Sequence, residues 1–354
     1  MANTSQVFVP NEAQIEKMPD FLQNNVPQFL FRIHSTSRAE STDAKHAGSW
    51  VSSRASETGE MDKVKDLFAL PRHIAAARLN EHLQGQCWDD FKSNLVSWTA
   101  SLLYAIQFGL YKCATSAGNV KLSQIYLMVL DTQSFPPGTF TQDLELLEVF
   151  YKHERYSDPS KNLENLYAYR SVENSYPGEY FSQGNLNVQG QFIQTSLGEL
   201  IDHGLFELNP LFKEEDLWFE PLIRLEGLRE PFRQDDIARN TSEAEFHLAI
   251  AIARSCFGGK WAVPMALLLL SLRPRQSPDH NLEHGFRACF SGKSCPISNE
   301  TFSQTVDDRP DTELYVLPVL ATVTNANKLP EVALYERLRC DISKIFSAPP
   351  IYVE

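Results

Sequence analysis

Cysteine is scarce, with six in 354 residues, and no two form a Cys-x2-Cys pair. That excludes the dense disulfide framework of a small secreted domain and the commonest zinc hook. The opening MANTSQVFVPNEAQIEK lacks a basic start followed by an apolar run, so no secretory signal is expected. The longest apolar run, residues 261–272, is too short to span a bilayer and contains Pro264. Positive charge is also in deficit: 32 Lys and Arg face 45 Asp and Glu, a net charge of −13 that argues against gripping nucleic acid through its phosphates. There is no Gly-x-Ser-x-Gly elbow and no His-Glu-x-x-His. The run Cys256-Phe-Gly-Gly-Lys-Trp261 lacks the spacing of a phosphate-cradling loop. The expectation is a cytoplasmic or nuclear protein with reduced thiols and no membrane span.

What is present suffices for a core, since 43% of residues are hydrophobic and 22% charged. Residues 26–34 read as a strand entered through Pro27. Alternation places Phe29, Phe31 and Ile33 on one face, and Leu30, Arg32 and His34 on the other. Residues 35–62 are rich in Ser, Thr, Ala and Glu and read as a long surface loop. A helix is expected over 71–84, between Pro71 and Gly85, with a short one over 89–95. Ser97, Thr99 and Ser101 then alternate ahead of a helix whose Leu102, Ala105, Ile106 and Leu110 form one stripe. Ser101 or Thr99 is placed to cap that helix.

Residues 120–132 form a strand apolar on both faces, followed by the Pro136-Pro-Gly138 turn and an amphipathic helix over 142–153. Residues 154–176 look irregular. Pro177-Gly178 makes a turn, and Glu179 opens a strand on which Glu179, Phe181 and Gln183 share a face. A second strand over 185–193 and a short capped helix over 195–204 follow. Beyond residue 215 the pattern is mostly helical: 243–256 and 262–272 separated by Gly258-Gly259, a loop over 274–310, a strand over 313–324 and a helix over 330–346. The class is α+β, divided into a loosely held tail (1–21), a mixed domain (22–215) and a mostly helical lobe (216–354).

His280, His284, Cys289 and Cys295 have zinc-compatible side chains, but their spacing is not that of a tight hook. The preferred reading is an unliganded polar loop, so no metal is expected. Paired acids such as Asp89-Asp90, Glu214-Glu215 and Asp307-Asp308 read as solvated surface.

Three elements remain: Phe31-Arg32 in FLFRIHS, the Ser97/Thr99/Ser101 row with Tyr104, and Glu179 in EYFSQG. Their order resembles the ADP-ribosyltransferase superfamily, whose members carry a first-strand Arg or His, a middle Ser-Thr-Ser or Ser-x-x-Tyr element and a late-strand Glu. Thr99-Ala100-Ser101 is similar to the first form of the middle element and Ser101-Leu-Leu-Tyr104 to the second. Over most of its length the chain also resembles a fungal group of intracellular proteins that open with a VPxxLFR-type segment. That likeness runs through Phe257-Gly-Gly-Lys-Trp261 and residues 317–329, and it brings no activity with it.

The superfamily resemblance covers residues 22–200 and implies a split β-sandwich with peripheral helices, with NAD as substrate. Departure of nicotinamide builds positive charge on the ribose, which a fixed carboxylate stabilises more in the transition state than in the ground state. Glu179 takes that role. Arg32 pairs with the pyrophosphate or ribose side through its fork of donors, and His34 and Ser97 line the same surface. Ser101 or Thr99 fixes the nicotinamide amide or positions Glu179, and Tyr104 stacks on the ring. The implied activity is ADP-ribosyl transfer or NAD glycohydrolysis. The acceptor is open, a protein among the options. Pro177 stands where many toxin-like members carry an acceptor-selecting Glu or Gln. The residues on their own also fit plainer roles: Arg32 as a strand cation in an ion pair, Tyr104 as helix core, Glu179 as a surface acid beside a turn. The alternative function is a non-catalytic interaction module of the same fold in fungal signalling or self/non-self recognition.

Overall fold

Pro27 ends the irregular entry, and the alternating aromatic and branched residues after it form strand β1 (Phe29–Ser35). The structure, a computed structural model, describes residues 6–35, 45–47, 50–57, 64–84, 93–116, 120–154, 162–172, 174–234, 236–258, 261–276, 278–290 and 329–347. The strands after β1 are β2 (Lys45–Ala47), β3 (Trp50–Ser52), β4 (Leu95–Thr99), β5 (Ile125–Asp131), β6 (Thr141–Gln142), β7 (Glu179–Gln183), β8 (Asn185–Asn187) and β9 (Phe192–Ser196). A six-stranded sheet has the order β6-β7-β4-β1-β5-β9, and a three-stranded sheet the order β2-β3-β8. Neighbouring strands in both are antiparallel. With its many helices, the chain is of the α+β class.

β1 is hydrogen-bonded on both sides. It meets β5 from Phe29 opposite Asp131 to Ser35 opposite Ile125, and β4 at Phe31 opposite Thr99. Both of its faces are covered: Phe29, Phe31 and Ile33 are buried on one and Leu30 on the other. The helix Leu102–Thr115 lies on the Ile33 side. Gly109 makes that approach possible, because a Cβ there would collide with Leu197 Cδ1 and stand 3.3 Å from Ile33 Cδ1. Under β4 and β7, the helices Arg72–Leu83 and Asp143–Phe150 supply Leu79, Leu146 and Phe150 to a cluster with Leu95 and Phe181. Each such side chain contributes about 1.5–3 kcal/mol by leaving water.

That cluster also contains Phe8 and Met18, so the expectation of a loosely held tail over 1–21 is corrected for the described part. Asn11 and Gln14 form a reciprocal cap on the helix Glu12–Ile15. Two apolar anchors in a polar stretch are enough to dock it. Part of the expected 35–62 loop is β2, β3 and the helix Arg54–Glu57. Three-residue strands are too short to show alternation in sequence. Gly184, at φ +67°, lets the chain leave β7 for β8 in the other sheet. The expected second strand over 185–193 is two strands, β8 and β9, with a turn at Gly190.

Two compact units divide the described chain: residues 6–197, 217–226 and 329 in one, and 198–216, 227–290 and 330–347 in the other. The first holds both sheets. The division therefore departs from the expected boundary at 215/216 by giving residues 198–216 to the helical unit. In that unit Ser242 and Glu245 cap the helix Glu243–Phe257, and all nine residues of the helix Ala262–Leu270 are buried. Arg229 pairs with Glu331 in a buried fork. Residues 280–290, expected as loop, form the helix His280–Phe290. The final helix is Pro330–Ser347, and the expected strand over 313–324 lies outside the described residues. No helix among the described residues is long and apolar enough to cross a membrane.

Candidate functional site

The turn before β7 sets the position of Glu179. Gly178 adopts φ +69°, its carbonyl accepts from the Ala100 N–H at 2.8 Å, and the Pro177 carbonyl accepts from the Thr99 hydroxyl at 2.5 Å. These bonds lock β7 to β4 with Glu179 directly opposite Thr99. Thr99 is in turn opposite Phe31 on β1, so Phe31, Thr99 and Glu179 project from one face. Ser97 shares that face and meets His82 Nε2 at 2.9 Å through its hydroxyl.

Ser101 caps the following helix by accepting from the Tyr104 N–H at 3.0 Å. Tyr104 stacks on Phe108 with ring centroids 5.8 Å apart. Burial, followed by the nearby Glu179 charge, pushes its phenol well above the usual range. Thr99, Ser101, Tyr104 and Glu179 therefore gather at one end of the β4–β7 pair.

Arg32 does not join them. It is one residue from Phe31, so alternation sends its side chain to the opposite face, where its Nη1 donates to the Ser97 carbonyl at 2.7 Å. His34 shares Arg32's face, stacks on Tyr126 and contacts Gln194 at 3.1 Å. The expectation that Arg32 and His34 converge with Ser101 and Glu179 is corrected on this ground. Face parity is set by the register between strands, and a strand's own sequence does not contain it.

The cation beside Glu179 is Arg170, from the helix Leu163–Arg170. Its Nη1 donates to Glu179 Oε2 and, at 2.7 Å, to Asp143 Oδ2. Asp143 also accepts from the Tyr176 hydroxyl, and Gln142 Nε2 donates to that hydroxyl at 3.1 Å. Asp143 is fully buried, and burial raises its carboxyl to about 6 against the pull of Arg170. Burial opposes charge on Arg170, yet Glu179 and Asp143 hold its pKa above the ordinary value. Glu179 keeps Oε1 without a donor among the described residues, so one oxygen is clamped and the other remains free to accept.

Sequence reasoning missed Arg170, Asp143 and Tyr176, because residues 154–176 looked irregular. A signal was present: Asn162 caps the helix, Glu164 lies in its first turn and Arg170 in its last.

Beside this network lies a cavity of ≈ 290 Å³ whose lining includes Lys17, Gln142, Glu145, Glu148, Tyr167 and Arg170. Glu145 Oε1 accepts from the backbone N–H groups of Asp20 and Phe21 at 2.8 and 3.1 Å, which ties down the helix Pro19–Leu22. Burial raises Glu145 to about 7, against those two hydrogen bonds.

The chain matches no family model, no curated protein and no solved structure. Among the described residues no three His, Cys, Asp or Glu side chains are grouped to hold a metal ion. His280 and His284 are exposed on their helix while Cys289 is buried, and Cys295 lies outside the described residues.

Proposed function

We propose NAD-dependent ADP-ribosyl transfer or NAD glycohydrolysis, centred on Glu179, as the function the site supports best. The observation that carries this reading is the gathering of Thr99, Ser101, Tyr104 and Glu179 at one end of the adjacent strands β4 and β7. In this reading the C–N bond between nicotinamide and ribose breaks and its electron pair leaves with nicotinamide. Positive charge then develops on the ribose beside Glu179 Oε1, while Arg170 holds Oε2 and fixes the carboxylate's orientation. Water or an acceptor hydroxyl, amine or amide adds to the ribose carbon and loses its proton to solvent or to Glu179. Arg32 and His34 take no part.

The test is nicotinamide release from NAD by the full chain and by Glu179→Gln. Loss of a preorganised charge aimed at a transition state predicts a drop of about 10²–10³-fold. Wild-type protein that releases no nicotinamide, or a Gln variant that keeps pace with it, would sink the proposal.

A second reading, a non-catalytic module of the same architecture, is favoured by one observation. The cavity beside Arg170 measures ≈ 290 Å³, at the lower end of ligand pockets, roughly 300–1,000 Å³, and short of a whole dinucleotide.

A further inference from the structure

One buried acceptor, Gln142 Oε1, lies in the lining of the cavity without a donor, and the Glu145 carboxylate lines the same cavity. Tyr176 gives its hydroxyl hydrogen to Asp143, so toward Gln142 that oxygen can only accept, and the Gln142 amide nitrogen must face it. This settles which end of the amide is oxygen and leaves Oε1 buried with no partner, in a residue only 1% exposed. On Glu145, 5% exposed, Oε1 is occupied by the Asp20 and Phe21 N–H groups, and nothing among the described residues donates to Oε2.

An unfilled buried acceptor costs free energy unless a ligand or water meets it. The surrounding charge indicates which ligand. Arg170 is already matched by Asp143 and Glu179, leaving Lys17 as the other lining cation against Glu145 and Glu148. The acids are in excess, and the open positions are acceptors.

We propose that this cavity binds a small planar cation rich in N–H donors, a guanidinium group, on Gln142 Oε1 and Glu145 Oε2 with Glu148 adding charge. A guanidinium carries five donors and is more weakly hydrated than an ammonium, which suits entry into a buried site. The volume of ≈ 290 Å³ admits such a group on a short stem. The site is separate in its chemistry from NAD cleavage and stands whether or not the chain consumes NAD.

The test titrates methylguanidinium chloride into the full chain at constant ionic strength, followed by calorimetry and NMR, with N-methylurea as the neutral isostere and methylammonium as the non-planar cation. Saturable one-to-one binding of methylguanidinium is expected, at least about tenfold tighter than either control, a factor equal to one 1.4 kcal/mol step. Glu145→Gln retains an oxygen for the Asp20 and Phe21 N–H groups but replaces Oε2 with a donor. It should weaken binding about tenfold or more with circular dichroism unchanged. Glu148→Gln, which removes one of the lining charges and leaves both acceptor oxygens in place, should weaken it less. Absence of saturable binding would mean the oxygens are met by water only and overturn the proposal. Equal affinity for N-methylurea or methylammonium, or undiminished binding by Glu145→Gln, would overturn it as well.

Discussion

Replacing Arg170 with methionine keeps most of the side-chain volume and removes the charge that Asp143 and Glu179 share. Asp143 is fully buried and sits at about 6 with the cation present. At 1.36 kcal/mol per unit, holding it ionised at pH 7 already costs the fold about 3 kcal/mol. Without Arg170 its carboxyl rises further and takes up a proton, which adds roughly 1 kcal/mol to that cost. Glu179, whose side chain is 16% exposed, loses a charge-assisted hydrogen bond of about 1.5–3 kcal/mol. The sum is about 3–4 kcal/mol at pH 7, in keeping with the cost of breaking a buried ion pair. At pH 5 Asp143 is protonated in both proteins, so its share vanishes and the loss shrinks to about 2 kcal/mol. Urea unfolding at both pH values, or a Tm fall of roughly 6–16 °C at pH 7, reads the difference. A loss under about 1 kcal/mol at pH 7, or the same loss at both pH values, would refute the account of this network.

The remaining predictions concern the same unit. Ser101→Ala removes the cap on the Tyr104 N–H and should destabilise by about 0.5–2 kcal/mol in urea unfolding. Burial raises both Asp143 and Glu145, to about 6 and about 7, so folding favours their protonated forms. Their contribution is full below the unfolded values of 3.8 and 4.5 and is lost as pH climbs through the folded ones. Stability should therefore fall between about pH 4 and pH 7, by about 3 kcal/mol for each group. Asp143→Asn and Glu145→Gln should each flatten the urea midpoint's dependence on pH, and an unchanged slope would contradict the assignment.

Much of the local structure was legible. The hydroxyl before Leu102 announced a cap, Pro177-Gly178 announced a turn, and Glu179 opened a strand at the residue expected. The helix carrying Arg170 was not legible, because its eight residues have little amphipathic contrast and only its caps mark it. The short strands β2 and β3 escaped for want of length. At the site, Thr99, Ser101, Tyr104 and Glu179 come together, whereas Arg32, of the right chemical type and on the adjacent strand, faces away.

The sequence by itself determined where elements marked by a local signal begin, such as the helix capped by Ser101 and the strand opened by Glu179, because caps, turns and alternation act over a few neighbouring residues. It also determined that Arg32 and His34 share one strand face. Only the tertiary structure decided which face of β1 accompanies Glu179, and that Arg170 and not Arg32 supplies its cation. A shift of one residue between β1 and β4 would exchange every side chain's face while leaving each strand's own pattern intact. The register is held by bonds such as Thr99 to the Pro177 carbonyl, between residues far apart in the chain.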